Sequence, residues 1–254
     1  MDIAQIAAQQ LHDYDARTPG TIFDTDLVLN EAQAYAIQDE VCRLREQRGE
    51  KIIGYKVGCT SLTIQQQLGI TQPVFARLFE HECWSSGAQL PLNRFSNFAI
   101  EGELAVRLAS RPPQPNASDA GIFDAIESVF AVIELHHFTI RRASISTEEF
   151  VANNAIHAGF VKASAAAPIK SIESATLQIV INGEEVASLF SSELLQIVVS
   201  STRWLASTLE DNERGLQPGD ILLCGSVAPL FPVAEGGHIS VTTDRYGSVD
   251  CVIS

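Results

Sequence analysis

The sequence predicts an α+β chain, with a helical N-terminal part at 1–50 and a strand-rich remainder at 51–254 that forms one continuous structural unit. Three observations point to this. Apolar residues among the first 50 positions recur at steps of three and four, the period of a helix. Beyond Lys51 the chain breaks into short apolar runs rich in Val, Ile and Phe, bounded by Gly, Pro and Asn. Asn182-Gly183 then falls between two such runs, a strong local signal for a β-hairpin.

In order along the chain, residues 2–13 place Ile3, Ile6, Ala7 and Leu11 on one helical face, and Thr18-Pro19-Gly20 ends that helix. Asn30 caps a second helix whose Ala34, Ile37, Val41 and Leu44 again share a face, with Arg45, Arg48 and Gly49 at its end. These helices read as scaffold or subunit contact. Residues 51–61 then form a strand with an interior lysine, Lys56, between Gly54 and Gly58. A lysine in an apolar run is rarely buried without a partner. It either snorkels to solvent or serves as an acid–base or carboxylate-binding group, with a lowered pKa or a paired charge. Thr60 and Ser61 cap a helix over 62–68. A turn at 69–73 leads into a strand at 74–79. The polar loop Glu80-His81-Glu82 follows and reads as exposed, because adjacent loop residues seldom converge on one ion. Gly87 and Pro91 bracket another short element.

Residues 97–108 form the strand around which the rest is organised. Side chains two apart on a strand share a face, so Glu101 and Glu103 lie side by side. Two such carboxylates repel unless a cation or a shared proton lies between them, or unless the pair faces water. A third acid, Glu134, ends another apolar run at 128–135, where burial is costly without a partner or a metal. Three carboxylates from two core strands suffice to hold an octahedral Mg2+ or Mn2+ with open positions for a substrate. His136-His137 come next. Adjacent strand residues face opposite ways, and neither histidine is assigned to the site.

A Pro-rich surface loop at 111–119 precedes a short helix at 119–126. Thr147-Glu148-Glu149-Phe150 is close to a capping-box pattern. Asn153-Asn154 make a turn before a Gly159-containing strand, their amides lining a pocket or ordering the backbone. After the hairpin at 177–186, residues 192–210 form a long amphipathic helix. A turn at 215–220 feeds a strand that stops at Gly225-Ser226, where backbone N–H groups are placed to meet an anion. Two strands, at 236–241 and 249–252, close the chain.

Bulk properties narrow the function. The net charge of −14 argues against a nucleic-acid partner, and an anionic substrate would need a local cation. Five scattered cysteines without CxxC spacing fit reduced thiols in a cytoplasmic protein rather than a zinc ribbon. The acidic start is unlike a signal peptide, and no apolar run approaches the ~20 residues that span a bilayer.

With these motifs placed, the chain resembles the fumarylacetoacetate hydrolase superfamily, in particular its branch of 2-oxopent-4-enoate hydratases and 4-oxalocrotonate decarboxylases. The resemblance rests on Gly54-Tyr55-Lys56-Val57-Gly58-Cys59-Thr60-Ser61, Glu101-Gly102-Glu103, Glu134, Asn153-Asn154-Ala155 and residues 218–226. It implies a mixed β-sheet roll or barrel with an N-terminal helical part. It also implies Mg2+ or Mn2+ on Glu101, Glu103 and Glu134, a catalytic, substrate-binding Lys56, and substrate contacts from Ser61, Asn153, Gly225 and Ser226. The implied activity is hydration of a small unsaturated 2-oxo acid of the 2-hydroxypenta-2,4-dienoate type, or alternatively 2-oxo acid decarboxylation or C–C hydrolysis, in a homo-oligomer. The chain departs from the branch at Val74 and Ala76, a segment where hydratases often carry an acid. It also has Asn153 where relatives often have Asp, and Cys224 where they often have Thr.

Overall fold

The computed structural model describes residues 2–18, 23, 27–113, 117–137, 146–210 and 215–254. The expected helix breaker at Pro19-Gly20 and the centre of the Pro-rich loop, 114–116, lie outside the described residues.

Helices α1 (Ile3–Ala16) and α2 (Glu31–Gln47) begin the chain. Asn30 completes a capping box with Gln33, satisfying donors that the first turn of α2 would otherwise leave free. Strand β1 (Ile52–Gly58) ends three residues short of the expected 61, while helix α3 (Leu62–Leu68) and strand β2 (Val74–Phe79) match the expected bounds. The helices' apolar face, with Ile6, Ala7, Ala34 and Ile37, meets Val74, Ala76 and Val151 in a cluster separate from the main core.

The rest of the chain builds two sheets. Beyond β1 and β2, the larger sheet takes β3 (Cys83–Ser85), β5 (Ala99–Leu108), β6 (Ile126–His136), β7 (His157–Lys162), β10 (Ile221–Leu223) and the short β11 (Phe231–Pro232). Its order is β2-β1-β10-β5-β6-β7-β3, with β11 added against β5. The smaller sheet adds β4 (Ala88–Leu90), β8 (Ala175–Ile181), β9 (Glu184–Ser191), β12 (Gly237–Thr243) and β13 (Ser248–Ile253), in the order β4-β13-β12-β8-β9. Both sheets are mixed, since β1 with β10, β3 with β7 and β4 with β13 run parallel. Asn182-Gly183 form the β8–β9 turn, both with positive φ, as an Asn-Gly hairpin requires. Among the described residues neither sheet closes on itself, so the architecture is a roll of open sheets and not a barrel.

Helices α4 (Asp119–Ala125) and α6 (Glu193–Thr208) pack against each other, and α6 also covers β5. Helix α5 (Thr147–Ala152) packs on α2. Its cap is Ser146, one residue before the expected box, with the side chain accepting from the Glu149 N–H.

Two glycines show how tightly the layers meet. A Cβ on Gly102 would stand 2.7 Å from Ile179 Cδ1 and 2.8 Å from Val241 Cγ2, so this face of β5 lies directly on the smaller sheet. By alternation Glu101 and Glu103 face the other way, out of the intersheet core. Gly54, at φ +152°, would place a Cβ 1.8 Å from the Ile221 carbonyl oxygen, so β1 and β10 pair at this separation only because position 54 has no side chain.

Candidate metal centre

The antiparallel pairing of β5 with β6 puts Glu101 directly opposite Glu134 and Glu103 opposite Val132. Directly opposed residues share a face with their Cβ atoms roughly 5 Å apart. Glu103 lies on that face because it is two positions from Glu101. The register alone therefore brings the three carboxylates together. Glu103 and Glu134 are fully buried, while the Glu101 side chain keeps 23% exposure and forms the open side of the cluster.

Lys56 reaches the same point from β1. Its Nζ lies 2.9 Å from Glu134 Oε1, with both side chains 3% exposed. Strands β10 and β5 stand between β1 and β6, so a flat sheet would separate the two backbones by about 14 Å. The ion pair forms because the sheet curls, concave on the carboxylate side. The Phe150 ring of α5 lies 5.9 Å from the ammonium and covers it.

Two histidines complete the cluster. His136 Nε2 lies 3.1 Å from Glu101 Oε2 and 3.7 Å from Glu134 Oε2. His157 Nδ1 lies 2.7 Å from Glu134 Oε1. Ligand atoms of Glu101, Glu134 and His136 all fall within 4.8 Å of one another. The expectation that neither His136 nor His137 would join the site is thus corrected for His136. The alternation argument was sound, since His137 turns to the opposite face, but His136 is two residues from Glu134 and shares its side. His157 gave no sequence signal, because only the β6–β7 pairing, with His136 opposite His157, brings it in. Three consecutive positive-φ residues, Asn154, Ala155 and Ile156, deliver the chain into β7 at this point. Non-glycine residues adopt that conformation only where their surroundings enforce it. Here the Asn154 amide bonds both the N–H and the C=O of Arg77 at 2.9 Å, anchoring the turn to β2.

The charges are strongly coupled. Burial, with repulsion from Glu134 and Glu101, pushes the Glu103 carboxyl well above its ordinary range. Burial also opposes ionisation of Glu134, but Lys56, His136 and His157 outweigh it and hold this carboxyl well below its usual value. Burial works against the Lys56 ammonium too, yet Glu134, Glu101 and Glu103 keep its pKa above the ordinary lysine value. Of the two routes open to an interior lysine, charge pairing prevails. Burial lowers the pKa of His157 despite its bond to Glu134, so the ring is neutral near pH 7 and donates through Nδ1.

Of the other expected site residues, Gly225 touches this cluster directly. The Gly225 N–H donates to Glu103 Oε2. Ser226 Oγ donates to the Gly102 and Ala228 carbonyl oxygens at 3.1 and 2.9 Å, which ties the turn to β5. Ser61 Oγ caps α3 by accepting from the Ile64 N–H. Asn153 Nδ2 donates to the Glu149 carbonyl at 2.9 Å at the end of α5. Val74 and Ala76 are buried in the helical cluster, so neither β2 position carries an acid. The neighbouring Glu80-His81-Glu82 turn departs from its expected exposure, because Glu82 is buried and bonded to Arg45 of α2 at 2.7 Å.

A divalent cation suits this donor set. Among the described residues Glu103 Oε1 is buried without a hydrogen-bond partner, and three acids crowd a site with one lysine. The fumarylacetoacetate (FAA) hydrolase C-terminal profile matches residues 65–254, most of the chain and all three acids. The chain belongs to this family. Lys56 and Ser61 precede the matched interval. Among fumarylacetoacetate hydrolase relatives, a 2-keto-4-pentenoate hydratase of Burkholderia vietnamiensis is 30% identical over 85% of this chain and 83% of its own. A 4-oxalocrotonate decarboxylase of Pseudomonas putida is 26% identical over 97% of this chain and 91% of its own. The solved 4-oxalocrotonate decarboxylase of Pseudomonas putida G7, complexed with magnesium and adipate, superposes with TM-score 0.85. It is 23% identical, and the match covers 100% of this chain and 99% of that one. The full-length superposition accords with the mixed-sheet roll and its helical N-terminal part.

Proposed function

We propose that this protein is a divalent-metal-dependent lyase that hydrates a small unsaturated 2-oxo acid of the 2-hydroxypenta-2,4-dienoate type. The observation that carries the reading is the register of β5 on β6, which sets Glu101 against Glu134 beside a buried Lys56. Glu101, Glu134 and His136 would hold Mg2+ or Mn2+, and Glu103 would turn its unpartnered oxygen to the same ion. When bound, the cation supplies Lewis acidity to the carboxylate and ketone oxygens of a 2-oxo acid.

The chain's own groups divide the remaining work. Lys56 is a charged ammonium in a water-poor setting, suited to binding a substrate carboxylate or passing a proton through Nζ. His157 orients Glu134 through Nδ1–H, and its unprotonated Nε2 is able to accept a proton. The Gly225 N–H holds Glu103 in position, and Phe150 shields Lys56 from water. In this reading Ser61, Asn153, Gly225 and Ser226 contact the substrate.

A second reading, 2-oxo acid decarboxylation, is favoured by one observation. Val74 and Ala76 are buried and apolar, leaving no carboxylate on β2 to activate water, which decarboxylation does not need. Incubating the Mg2+-loaded protein with 2-hydroxypenta-2,4-dienoate and with 4-oxalocrotonate separates the two. Loss of dienol absorbance without CO2 supports hydration, and CO2 from the second compound supports decarboxylation. Inertness toward both refutes the proposal.

The reading includes residues 1–50 as a helical part joined to a catalytic unit at 51–254, in a cytoplasmic homo-oligomer. Five free cysteines support a reducing compartment. Among the described residues no helix is long and apolar enough to cross a membrane. Strand β9 edges its sheet with Phe190 74% exposed, and Leu62 on α3 is 75% exposed, apolar surface suited to contact between copies. Light scattering after gel filtration tests this, and a monomer at micromolar concentration contradicts it.

A further inference from the structure

The smaller sheet ends at β9, so the backbone N–H and C=O groups that this strand turns away from β8 form an edge. Among the described residues no backbone group outside β8 bonds residues 186–190. Folded proteins protect such an edge with lysine, proline, a very short strand or a cover, because an open edge templates pairing with another chain. Strand β9 is eight residues long, and it contains neither Lys nor Pro.

Most of this edge is regular. Ile179 pairs with Ala187 and Val180 with Glu185, so Val186 is the extra residue of a β-bulge. From Ala187 to Ser191 the register against β8 is unbroken. Directly opposed residues share a face. Ala187, Leu189 and Ser191 lie opposite Ile179, Leu177 and Ala175, which are fully buried, and so take the core side. Ser188 and Phe190 lie opposite Gln178 and Thr176 on the outer face, where Phe190 stands 74% exposed. In a chain of net charge −14, residues 186–192 carry no charge. Glu184 and Glu185 precede this stretch, and Glu193 already belongs to α6. A second copy meets no acid along the paired segment.

Symmetry restricts how two such edges pair. Antiparallel copies are related by a two-fold axis normal to the sheet, which keeps every residue on its own face. Opposed residues must also share a face, so the axis passes through one residue of the strand. Leu189 is the centre of the regular segment. Pairing about it sets Leu189 against its own copy on the core side, Ala187 against Ser191, and Ser188 against Phe190. Each Phe190 ring then lies diagonal to the other, at the roughly 7–8 Å spacing that aromatic side chains bridge.

We propose that β9 pairs antiparallel with β9 of a second copy across a two-fold axis at Leu189, joining two five-stranded sheets into one continuous sheet. The inference rests on the homo-oligomer of the reading above and names the strand that builds it. It uses no residue of the metal cluster.

Light scattering after gel filtration and oxidative cross-linking of the full chain test it. Opposed Cα atoms in an antiparallel pair are about 4.5–5.5 Å apart, within disulfide range. Leu189→Cys is expected to give an oxidised covalent dimer on a non-reducing gel. Wild type, with its five native cysteines, and Glu184→Cys, outside the paired segment, are expected to give none. Phe190→Lys places cations on both sides of the axis and, at an exposed position, leaves the subunit folded, as circular dichroism checks. Its mass in solution is expected to fall at least twofold below that of wild type. A monomeric wild type at micromolar concentration overturns both this inference and the oligomer reading. A wild-type oligomer whose mass Phe190→Lys leaves unchanged, or a folded Leu189→Cys that forms no covalent dimer, overturns the inference alone and moves the contact to another face.

Discussion

Replacing Lys56 with methionine keeps most of the side chain's length and deletes its charge. The ion pair with Glu134 is 2.9 Å long and 3% exposed on both sides. Removing one member of such a pair costs roughly 3–5 kcal/mol, because the other charge stays buried and uncompensated. For a chain of this size that corresponds to a fall in melting temperature of roughly 6–20 °C. The deficit should depend on pH. Without Lys56, Glu134 loses the foremost of the neighbours that hold its pKa down, so it takes up a proton more readily. Protonation relieves the crowding of the three acids, and the deficit should therefore shrink as pH falls from 8 toward 5. Mg2+ or Mn2+ should also shrink it by restoring positive charge among the carboxylates. Turnover should fall about 10²–10⁴-fold, the scale of a lost proton-transfer group. Thermal unfolding of Lys56→Met with and without metal, at pH 5 and pH 8, checks the first part, and a substrate assay checks the second. An equal deficit under all four conditions, or a loss of turnover below tenfold, would refute the reasoning.

Glu103→Gln should abolish tight metal binding and turnover, which titration calorimetry and the substrate assay read directly. The same change should stabilise the metal-free protein near pH 7. A carboxyl whose folded pKa is raised stabilises fully below its unfolded value of about 4.5 and loses that contribution as pH rises through its folded pKa, so the variant's advantage should open above pH 4.5. His136→Gln should weaken Mn2+ about tenfold or more and Mg2+ less, because an imidazole ligand matters least to the harder ion; equal losses by calorimetry would remove His136 from the coordination shell. Gly54→Ala should give little or no soluble protein, since its Cβ would lie 1.8 Å from the Ile221 carbonyl oxygen, whereas Gly58→Ala, with its nearest neighbour at 3.6 Å, should fold. Soluble yield and circular dichroism compare the two.

Local signals in the sequence were enough to locate much of this architecture. The caps at Asn30 and Ser61, the Asn182-Gly183 turn and the apolar runs of β2 and β6 are set by neighbours a few residues apart, so spacing and residue type reveal them. The convergence of Glu101, Glu103 and Glu134 was also legible, because alternation fixes the first two and an acid at the end of a buried run calls for a partner. What spacing could not show depends on pairings distant in sequence. Lys56 meets Glu134 only because the sheet curls across two intervening strands, and His157 enters only through the β6–β7 register. Glu82 reads as loop surface until Arg45 of α2 reaches it from 37 positions away. The three-residue strand β3 lacks a period of its own and exists by pairing with β7, whereas β4 lies where Gly87 and Pro91 bracket a short element.

The central claim is that one divalent cation sits among the side chains of Glu101, Glu103, Glu134 and His136, with Lys56 beside it. Anomalous diffraction from crystals grown with Mn2+ tests that claim most directly. The account predicts one strong peak per chain within bonding distance of at least two of these carboxylates. No peak at the cluster, or the only peaks at other acidic groups, would contradict it.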